Sequence, residues 1–348
     1  MNGVFRGALA LLLGGLLSVL AHAAESTAHP EALRIAVPDS SSGAHRFSGG
    51  VVDLLVEQRT LEQAFAKDGV KVQWVFVKGA GPAINEAFAN RQIDLAYYGD
   101  LPAMVGRANG LDTQLLAAEA RGIKAYLGVL PDSAIHRLDD LRGKHLAVFR
   151  GTIYHLSLIN ALASAGLTEK DLRITNMDIG ASNAALATGQ VDAVWGANSL
   201  LDLERRGLAR VPLSTRDLDG VGSTRGVLVG AREFVQRYPD VVLRVLQAQQ
   251  EAYHWLSNPA NKVAYLGKAA EWSGYPAELL QRDLGDQDLG YIYAPGLDAG
   301  FLQELQSGVE LSKSLRLVRR DFRVQEWAKV DLQVRAAALV EGNRQSSR

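Results

Sequence analysis

The 348-residue sequence carries 37 Lys and Arg residues against 38 Asp and Glu residues, a formal charge of −1 at neutral pH. This balance does not favour a nucleic-acid or anionic-lipid partner, for which a basic surface is expected. Cysteine is absent, which excludes disulfides, thiolate metal sites, a cysteine nucleophile and a lipid-modified N-terminal cysteine. Hydrophobic residues make up 47% and charged residues 22%, as in globular proteins, and a chain of this length suggests two lobes.

The first 23 residues are predicted to be a secretory signal peptide. Arg6 precedes an apolar run over residues 8–20, only 13 residues long, and Ala21-His22-Ala23 supplies a small-x-small cleavage site. Because a transmembrane helix needs about 20 apolar residues, we expect removal of this segment rather than its retention as an anchor. The mature protein is then expected to be free in an exported compartment, most simply a bacterial periplasm.

A strand over residues 33–37 is predicted to lead into a serine-rich loop. Loops at the carboxyl ends of strands in open α/β sheets are where ligands sit. Ser41, Ser42 and Gly43 offer hydroxyl and N–H groups there, although serines also occupy plain solvated loops. One helix over residues 51–65 is expected to follow.

Residues 75–103 organise the first half of the chain. A strand ends near Val77, Gly81-Pro82 opens a helix, and a buried strand then runs to Gly99, where a second helix begins. Two strand ends and two helix N-termini therefore face one side. Unpaired N–H groups and a partial positive charge at such N-termini favour an anion.

Asp100 is the awkward candidate at this edge, because a carboxylate repels an anion. It either contacts the ligand, caps the helix that follows, or orients an arginine.

Residues 83–97 align with residues 181–195, which lie 98 positions downstream, and six of the 15 pairs are identical. Two alanine-rich helix–turn–strand segments can look alike through composition alone. The other interpretation is a pair of similar α/β lobes that face each other across a cleft.

A second anion site is predicted after a strand over residues 145–149. Arg150, Gly151 and Thr152 follow it and open a helix, so backbone N–H groups, a hydroxyl and a guanidinium are available for an oxyanion. The spacing is not that of a P-loop. Arg150 is alternatively a surface charge.

These segments resemble the periplasmic aliphatic-sulfonate-binding proteins of ABC importers, within the wider taurine and nitrate group. The resemblance covers roughly residues 33–256 and is carried by four segments: residues 74–102, 138–152, 185–195 and 234–240.

Two departures from the family pattern fall at positions that face the cleft in the family. Trp195-Gly-Ala-Asn198 stands where the family has Trp-Asp-Pro-Tyr, and Ser223-Thr224-Arg225 replaces a loop with Asn-His. A sulfate ester or an unusual sulfonate is therefore as reasonable a ligand as an alkanesulfonate.

The resemblance implies an α/β, two-lobed periplasmic-binding-protein fold of type II, with the ligand in the cleft between the lobes. Residues 32–121 plus 222–335 would form lobe 1, and residues 122–221 lobe 2. The expected ligand contacts are Ser41, Ser42, Gly43, Gly81, Gly99, Asp100, Arg150, Gly151, Thr152, Asn198, Thr224 and Arg225.

The function implied is import of an organic sulfonate or related oxyanion, such as a sulfate ester or taurine, for sulfur assimilation. The partners would be an ABC permease and its ATPase, with no nucleic acid, no cofactor and no metal, and we expect a monomer without catalytic residues. One alternative is an enzyme on the same fold, of the pyrimidine-precursor synthase or dehydratase type. The other is a ligand-sensing protein for a membrane receptor.

Overall fold

The computed structural model describes residues 29–43, 45–78 and 80–346. The predicted signal peptide, residues 1–23, lies outside the described residues. The strands are β1 (Ala32–Pro38), β2 (Lys71–Val77), β3 (Leu95–Gly99), β4 (Thr113–Ile123), β5 (Tyr126–Val129), β6 (His145–Val148), β7 (Arg173–Asn176), β8 (Ala193–Gly196), β9 (Arg210–Ser214) and β10 (Thr224–Ala231).

In the described residues the helices alternate with the strands as far as β10, and only helices follow that strand. They are α1 (Val51–Glu57), α2 (Thr60–Phe65), α3 (Ala80–Ala89), α4 (Asp100–Ala108), α5 (Ile153–Ser164), α6 (Ile179–Ala187), α7 (Ser199–Arg205), α8 (Arg232–Arg237), α9 (Pro239–Ser257), α10 (Lys262–Ser273), α11 (Ala277–Leu284), α12 (Leu289–Ile292), α13 (Ala299–Ser314), α14 (Val324–Trp327) and α15 (Val330–Ser346). None of these helices is both long and apolar enough to cross a membrane.

The strands form two five-stranded sheets of matching topology. The first has the order β2-β1-β3-β10-β4 and the second β7-β6-β8-β5-β9. In each sheet three strands run parallel, and a fourth pairs antiparallel with the third. The two-lobed α/β class expected from the sequence is confirmed.

The internal repeat corresponds to equivalent pieces of the two sheets. Asp94, between α3 and β3, accepts a hydrogen bond from the backbone N–H of Arg34 at 2.8 Å. Asp192, between α6 and β8, accepts one from the backbone N–H of His145, also at 2.8 Å. In both units a carboxylate thus ties the turn before a strand to the parallel strand beside it, so the repeat is structural rather than compositional.

The chain passes between the two units twice, between β4 and β5 and between β9 and β10. The first sheet thus takes strands from the chain on both sides of the segment that forms the second sheet. The exact lobe boundaries, at residues 121/122 and 221/222, stay a prediction.

The prediction of a single helix over residues 51–65 is wrong, because two helices occupy this range. Arg59 adopts a left-handed backbone conformation with φ of 51° and separates α1 from α2. Apolar periodicity continues across the break, which is why the sequence pattern does not reveal it.

Candidate functional site

A small cavity, which we call the strand-end chamber, lies at the carboxyl ends of β6 and β8. Its volume is about 10 Å³, room for about one water molecule. The residues that line it are Phe149, Tyr154, Ile179, Ser182, Asn183, Val194, Trp195, Gly196 and Ala197. Carboxyl ends of strands in open α/β sheets are the usual place for a ligand.

Two helices begin at the strand-end chamber. Tyr154 lies in the first turn of α5, and Ile179 is the first residue of α6. Asp178 caps α6 by accepting a hydrogen bond from the N–H of Ala181 at 2.8 Å. Helix α5 has no side-chain cap, so its first N–H groups and its partial positive charge remain available to an anion.

A larger cavity, the outer groove, has a volume of about 370 Å³. It runs between helices α6 and α7 on one side and the loop of Ser42 and the residue Tyr275 on the other. Its lining consists of Ser42, Asn183, Ala184, Ala187, Ser199, Asp202, Leu203, Arg206, Leu208 and Tyr275.

The two units touch each other across the cleft at the predicted glycine turns. A methyl group added at Gly99 would overlap Cγ2 of Ile153, the first residue of α5. One added at Gly151 would lie 3.6 Å from Cγ of Pro82 in α3. Within the first unit, Gly81 of α3 packs closely against Pro102 of α4. Gly99 and Gly151 therefore allow close approach where the strand ends of the two units meet.

The predicted serine loop is engaged with its own neighbours. The Ser41 hydroxyl donates to Asp39 at 2.7 Å, and the Ser42 hydroxyl donates to the carbonyl of Ser273 at 2.9 Å. Gly43 lies beside Gly274. Of these three candidates, Ser42 also lines the outer groove.

Arg150 is turned toward a carboxylate of its own unit. Its Nη2 lies 2.8 Å from Oε1 of Glu169, and its side chain is 42% exposed. The N–H of Gly151 donates to Nδ1 of His155 at 3.3 Å, and the hydroxyl of the buried Thr152 donates to the carbonyl of Phe149 at 2.7 Å. These groups lie at the expected strand end, but each already has a partner.

Asp100 and Arg225 form a pair. Asp100 is the first residue of α4, is buried, and places Oδ2 3.7 Å from Nη1 of Arg225. Burial raises the pKa of Asp100, and the Arg225 guanidinium opposes that shift. Arg225 also donates through Nε to Glu304 at 2.6 Å. Asp100 also accepts a hydrogen bond from the backbone N–H of Leu101 at 2.7 Å, and its role toward a ligand stays a prediction.

Asn198 contacts helix α11, and Thr224 lies where the chain returns to the first sheet. Asn198 donates through Nδ2 to Oδ2 of Asp283 in α11 at 2.5 Å. The Thr224 hydroxyl donates to the carbonyl of Ile123 at 3.4 Å, at the crossing between the units. Asp283 also accepts a hydrogen bond from the Tyr126 hydroxyl at 2.7 Å.

Two carboxylates of the first unit lie close enough to influence each other. Burial raises the pKa of Asp53 to about 7, although the N–H groups of Ser48 and Gly49 donate to it at 2.9 and 2.5 Å and partly oppose the shift. Burial and the nearby Asp53 raise the pKa of Glu119 to about 8. No sequence motif marks either residue.

Sequence reasoning also missed Tyr154, Ser182, Asn183 and Tyr275 as cavity-lining residues. Asn183 is visible in the repeat as the equivalent of Asn85, but the repeat does not say which copy faces a cavity. Tyr275 lies in the C-terminal part, where the resemblance ends, and no motif marks it.

Proteins of similar sequence and structure are sulfonate-binding proteins by name. The provisionally named aliphatic sulfonates-binding protein of Escherichia coli (strain K12) is 29% identical over 332 residues, which cover 94% of this chain and 98% of that protein. The periplasmic sulfonate-binding protein SsuA from Methylobacillus flagellatus KT is 30% identical, with a TM-score of 0.76 over 89% of this chain and 94% of that one. The alkanesulfonate-binding protein SsuA from Xanthomonas axonopodis pv. citri, bound to MOPS, is 25% identical, with a TM-score of 0.73 over 86% and 99% of the chains.

The desulfurization enzyme DSZB shares the fold, with a TM-score of 0.68, 16% identity and coverage of 89% and 99%. At that identity the likeness concerns the fold alone. The relatives named as binding proteins are therefore the ones that bear on function. The sequence pattern of the family described as NMT1/THI5 like matches residues 64–262, more than half of the chain. This protein belongs to the NMT1/THI5-like family.

Proposed function

We propose that this protein is an extracytoplasmic solute-binding protein of an ABC importer, and that it binds an organic sulfonate or a related oxyanion between its two lobes. The names of relatives that match nearly the whole chain support this function. So does the MOPS, itself a sulfonate, in one similar structure.

The observation that carries the proposal is the strand-end chamber at the uncapped N-terminus of α5. A sulfonate presents three oxygens that share a negative charge, and helix N–H groups donate to such an anion without a compensating cation. Thr152 is the N-cap of α5 and is buried beside these N–H groups. We place the oxyanion at this end of the cleft.

In the present form the strand-end chamber, with a volume of about 10 Å³, is too small to admit a sulfonate. The lobes must therefore separate to let a ligand enter and then close around it. The two crossings between the units, near residues 123–126 and 214–224, are the proposed hinges. The other expected contacts, including Gly81, Gly99 and Arg225, remain part of this proposal. Arg150 reaches a ligand only if it leaves Glu169.

The protein is proposed to act in the periplasm after cleavage of residues 1–23, as a monomer, and to deliver the closed complex to a permease with its ATPase. Mass spectrometry of the protein from a periplasmic extract should give an N-terminus at Ala24. Recovery of the uncleaved chain with the membrane fraction would contradict this placement.

The central experiment is a thermal-shift screen of the mature protein against alkanesulfonates, MOPS, taurine, sulfate esters and nitrate, followed by calorimetric titration. A ligand at 100 times its Kd stabilises the folded state by about 2.7 kcal/mol, which a melting curve resolves. The same ligands should be recovered intact after incubation. Saturable release of sulfite or sulfate would instead place the protein with enzymes of this fold, and the absence of any shift would refute the sulfonate assignment.

A further inference from the structure

Glu119, near the end of β4, has a carboxyl group that no other group of the protein engages. Among the residues that the structure describes, neither a hydrogen bond nor an ion pair reaches this side chain, although it is only partly exposed. The side chain crosses the neighbouring strand β10, because a methyl group added at Gly226 would overlap Oε2 of Glu119. A carboxyl group without a partner in the protein is available to a ligand.

The strand pairing places this carboxyl group on the face of the first sheet that meets helix α5. Gly226 and Gly99 are partners in the antiparallel pair of β10 and β3, and partners in such a pair have their side-chain positions on the same face. A methyl group added at Gly99 would overlap Cγ2 of Ile153, the first residue of α5. Because neighbouring strands lie about 4.8 Å apart, the Glu119 carboxyl group lies about one strand spacing from the contact with the start of α5.

A second carboxyl group, on Asp53 of α1, determines which of the two holds a proton. The backbone N–H groups of Ser48 and Gly49 donate to Asp53, and such donors favour the ionised form of a carboxyl group. Glu119 has no donor of this kind, and burial and then the charge of Asp53 raise its pKa to about 8. When the pair shares one proton, Glu119 is therefore the residue that keeps it.

The other ionisable groups that act on this carboxyl pair, or respond to it, are three phenols and one ion pair. Burial raises the pKa of each phenol above its usual value of 10, so the phenols stay neutral up to pH 9. The groups are Tyr97 of β3, Tyr265 of α10, Tyr293 after α12, and His45 with Glu57.

We propose that Glu119 holds a proton at neutral pH and donates a hydrogen bond to the oxyanion that binds at the start of α5. A sulfonate only accepts hydrogen bonds, so a protonated carboxyl group attracts it and an ionised one repels it. This inference rests on the proposed function and adds a binding residue from the first unit, opposite the helix N-terminus of the second. Ligand binding is thereby coupled to the protonation of Glu119.

Calorimetric titration with ethanesulfonate at pH 6.5 and pH 9 tests the coupling, because the sulfonate group itself stays ionised at both values. The wild-type affinity should be about tenfold lower at pH 9, since a group with a pKa of about 8 is mostly ionised there. Titrations at pH 8.5 in two buffers of different ionisation enthalpy should show net proton uptake on binding. A residue that only supports the fold would not produce this uptake.

Two substitutions separate the donor from the charge. Glu119→Gln keeps a donor that does not titrate, so both the pH dependence and the proton uptake should disappear. Glu119→Ala removes the donor and should weaken binding at pH 6.5 by at least about tenfold. Glu251→Gln, exposed on α9, is the matched control and should keep the wild-type pH dependence. Melting curves at both pH values verify that each variant is folded.

The outcomes separate this inference from the proposed function. If wild-type affinity for ethanesulfonate is the same at both pH values, or rises with pH, the protein binds sulfonates but Glu119 does not donate to them. The inference is also wrong if folded Glu119→Gln keeps the wild-type pH dependence. If the wild-type protein binds neither ethanesulfonate nor any other sulfonate at either pH, the proposed function fails and this inference fails with it.

Discussion

The side-chain amide of Asn198 donates a hydrogen bond to the carboxylate of Asp283 at 2.5 Å, and so joins the start of α7 to helix α11. The Tyr126 hydroxyl donates to the same carboxylate at 2.7 Å. Nearby, Arg282 and Glu204 form an ion pair, as do Arg216 and Asp286. The C-terminal helices, which follow the first sheet in sequence, are thus tied to the second unit by polar contacts.

Replacement of Asp283 should destabilise the folded protein. Asp283→Ala leaves the Tyr126 hydroxyl and the Asn198 amide without their acceptor in a buried place, and unsatisfied buried groups cost about 1–3 kcal/mol each. Urea unfolding followed by circular dichroism should show a lower midpoint. Asp132→Ala, at an exposed position, is the control and should leave the midpoint unchanged. An equal midpoint for both variants would show that α11 contributes nothing through this contact.

Gly99→Ala should impair closure of the lobes. The added methyl group would overlap Cγ2 of Ile153 across the cleft, and overpacking costs about 1–3 kcal/mol, so the affinity for MOPS should fall by about tenfold. The backbone of Gly99 has φ of −63°, which alanine adopts without strain.

The double variant Gly99→Ala/Ile153→Ala provides the control, because the shorter side chain makes room for the methyl group. It should bind MOPS as well as Ile153→Ala alone. Gly267→Ala, where no atom lies within 4 Å of the added group, should bind like the wild type. If Gly99→Ala binds MOPS normally, the lobes in the bound form do not meet at this contact.

Arg150→Ala should change the affinity for MOPS by less than about threefold. The guanidinium is half-exposed and paired with Glu169, and exposed ion pairs contribute about 0–1 kcal/mol. Calorimetry at low and high salt measures the effect, with Arg173→Ala, an exposed residue of β7, as the control. A loss of about 30-fold, the size expected when a buried charged partner is removed, would show that Arg150 leaves Glu169 to hold the ligand.

The sequence predicts the positions of strand ends better than it predicts the directions of side chains. Gly99 and Gly151 lie where strand ends of the two units face each other, because glycine turns and helix starts are local features of the chain. The partner of Arg150 is Glu169, 19 positions downstream, and no local pattern indicates that pair. Asp283 joins the two units from a part of the chain that carries no motif, so its role depends on tertiary packing alone.

The stability of the protein should fall as the pH rises from about 5 to 9. Burial raises the pKa of Glu119 to about 8 and that of Asp53 to about 7. Between these values and the ordinary carboxyl pKa of about 4, the folded state binds more protons than the unfolded state. The contribution of these two carboxyl groups to the free energy of unfolding is therefore complete below pH 4 and is lost as the pH rises through 7 and 8. Glu119→Gln removes one of the two groups and the repulsion between them, so its melting temperature should depend less on pH.

Differential scanning calorimetry of wild type and Glu119→Gln at pH 5, 7 and 9 measures this difference. The fall in Tm from pH 5 to pH 9 should be smaller in the variant by roughly 2–4 °C, the shift that about 1 kcal/mol produces in domains of about 150–250 residues. Glu251→Gln, exposed in the middle of α9, is the control and should keep the wild-type pH dependence. If the Tm of all three proteins falls by the same amount, Glu119 is ionised in the folded protein at neutral pH because water reaches its carboxylate.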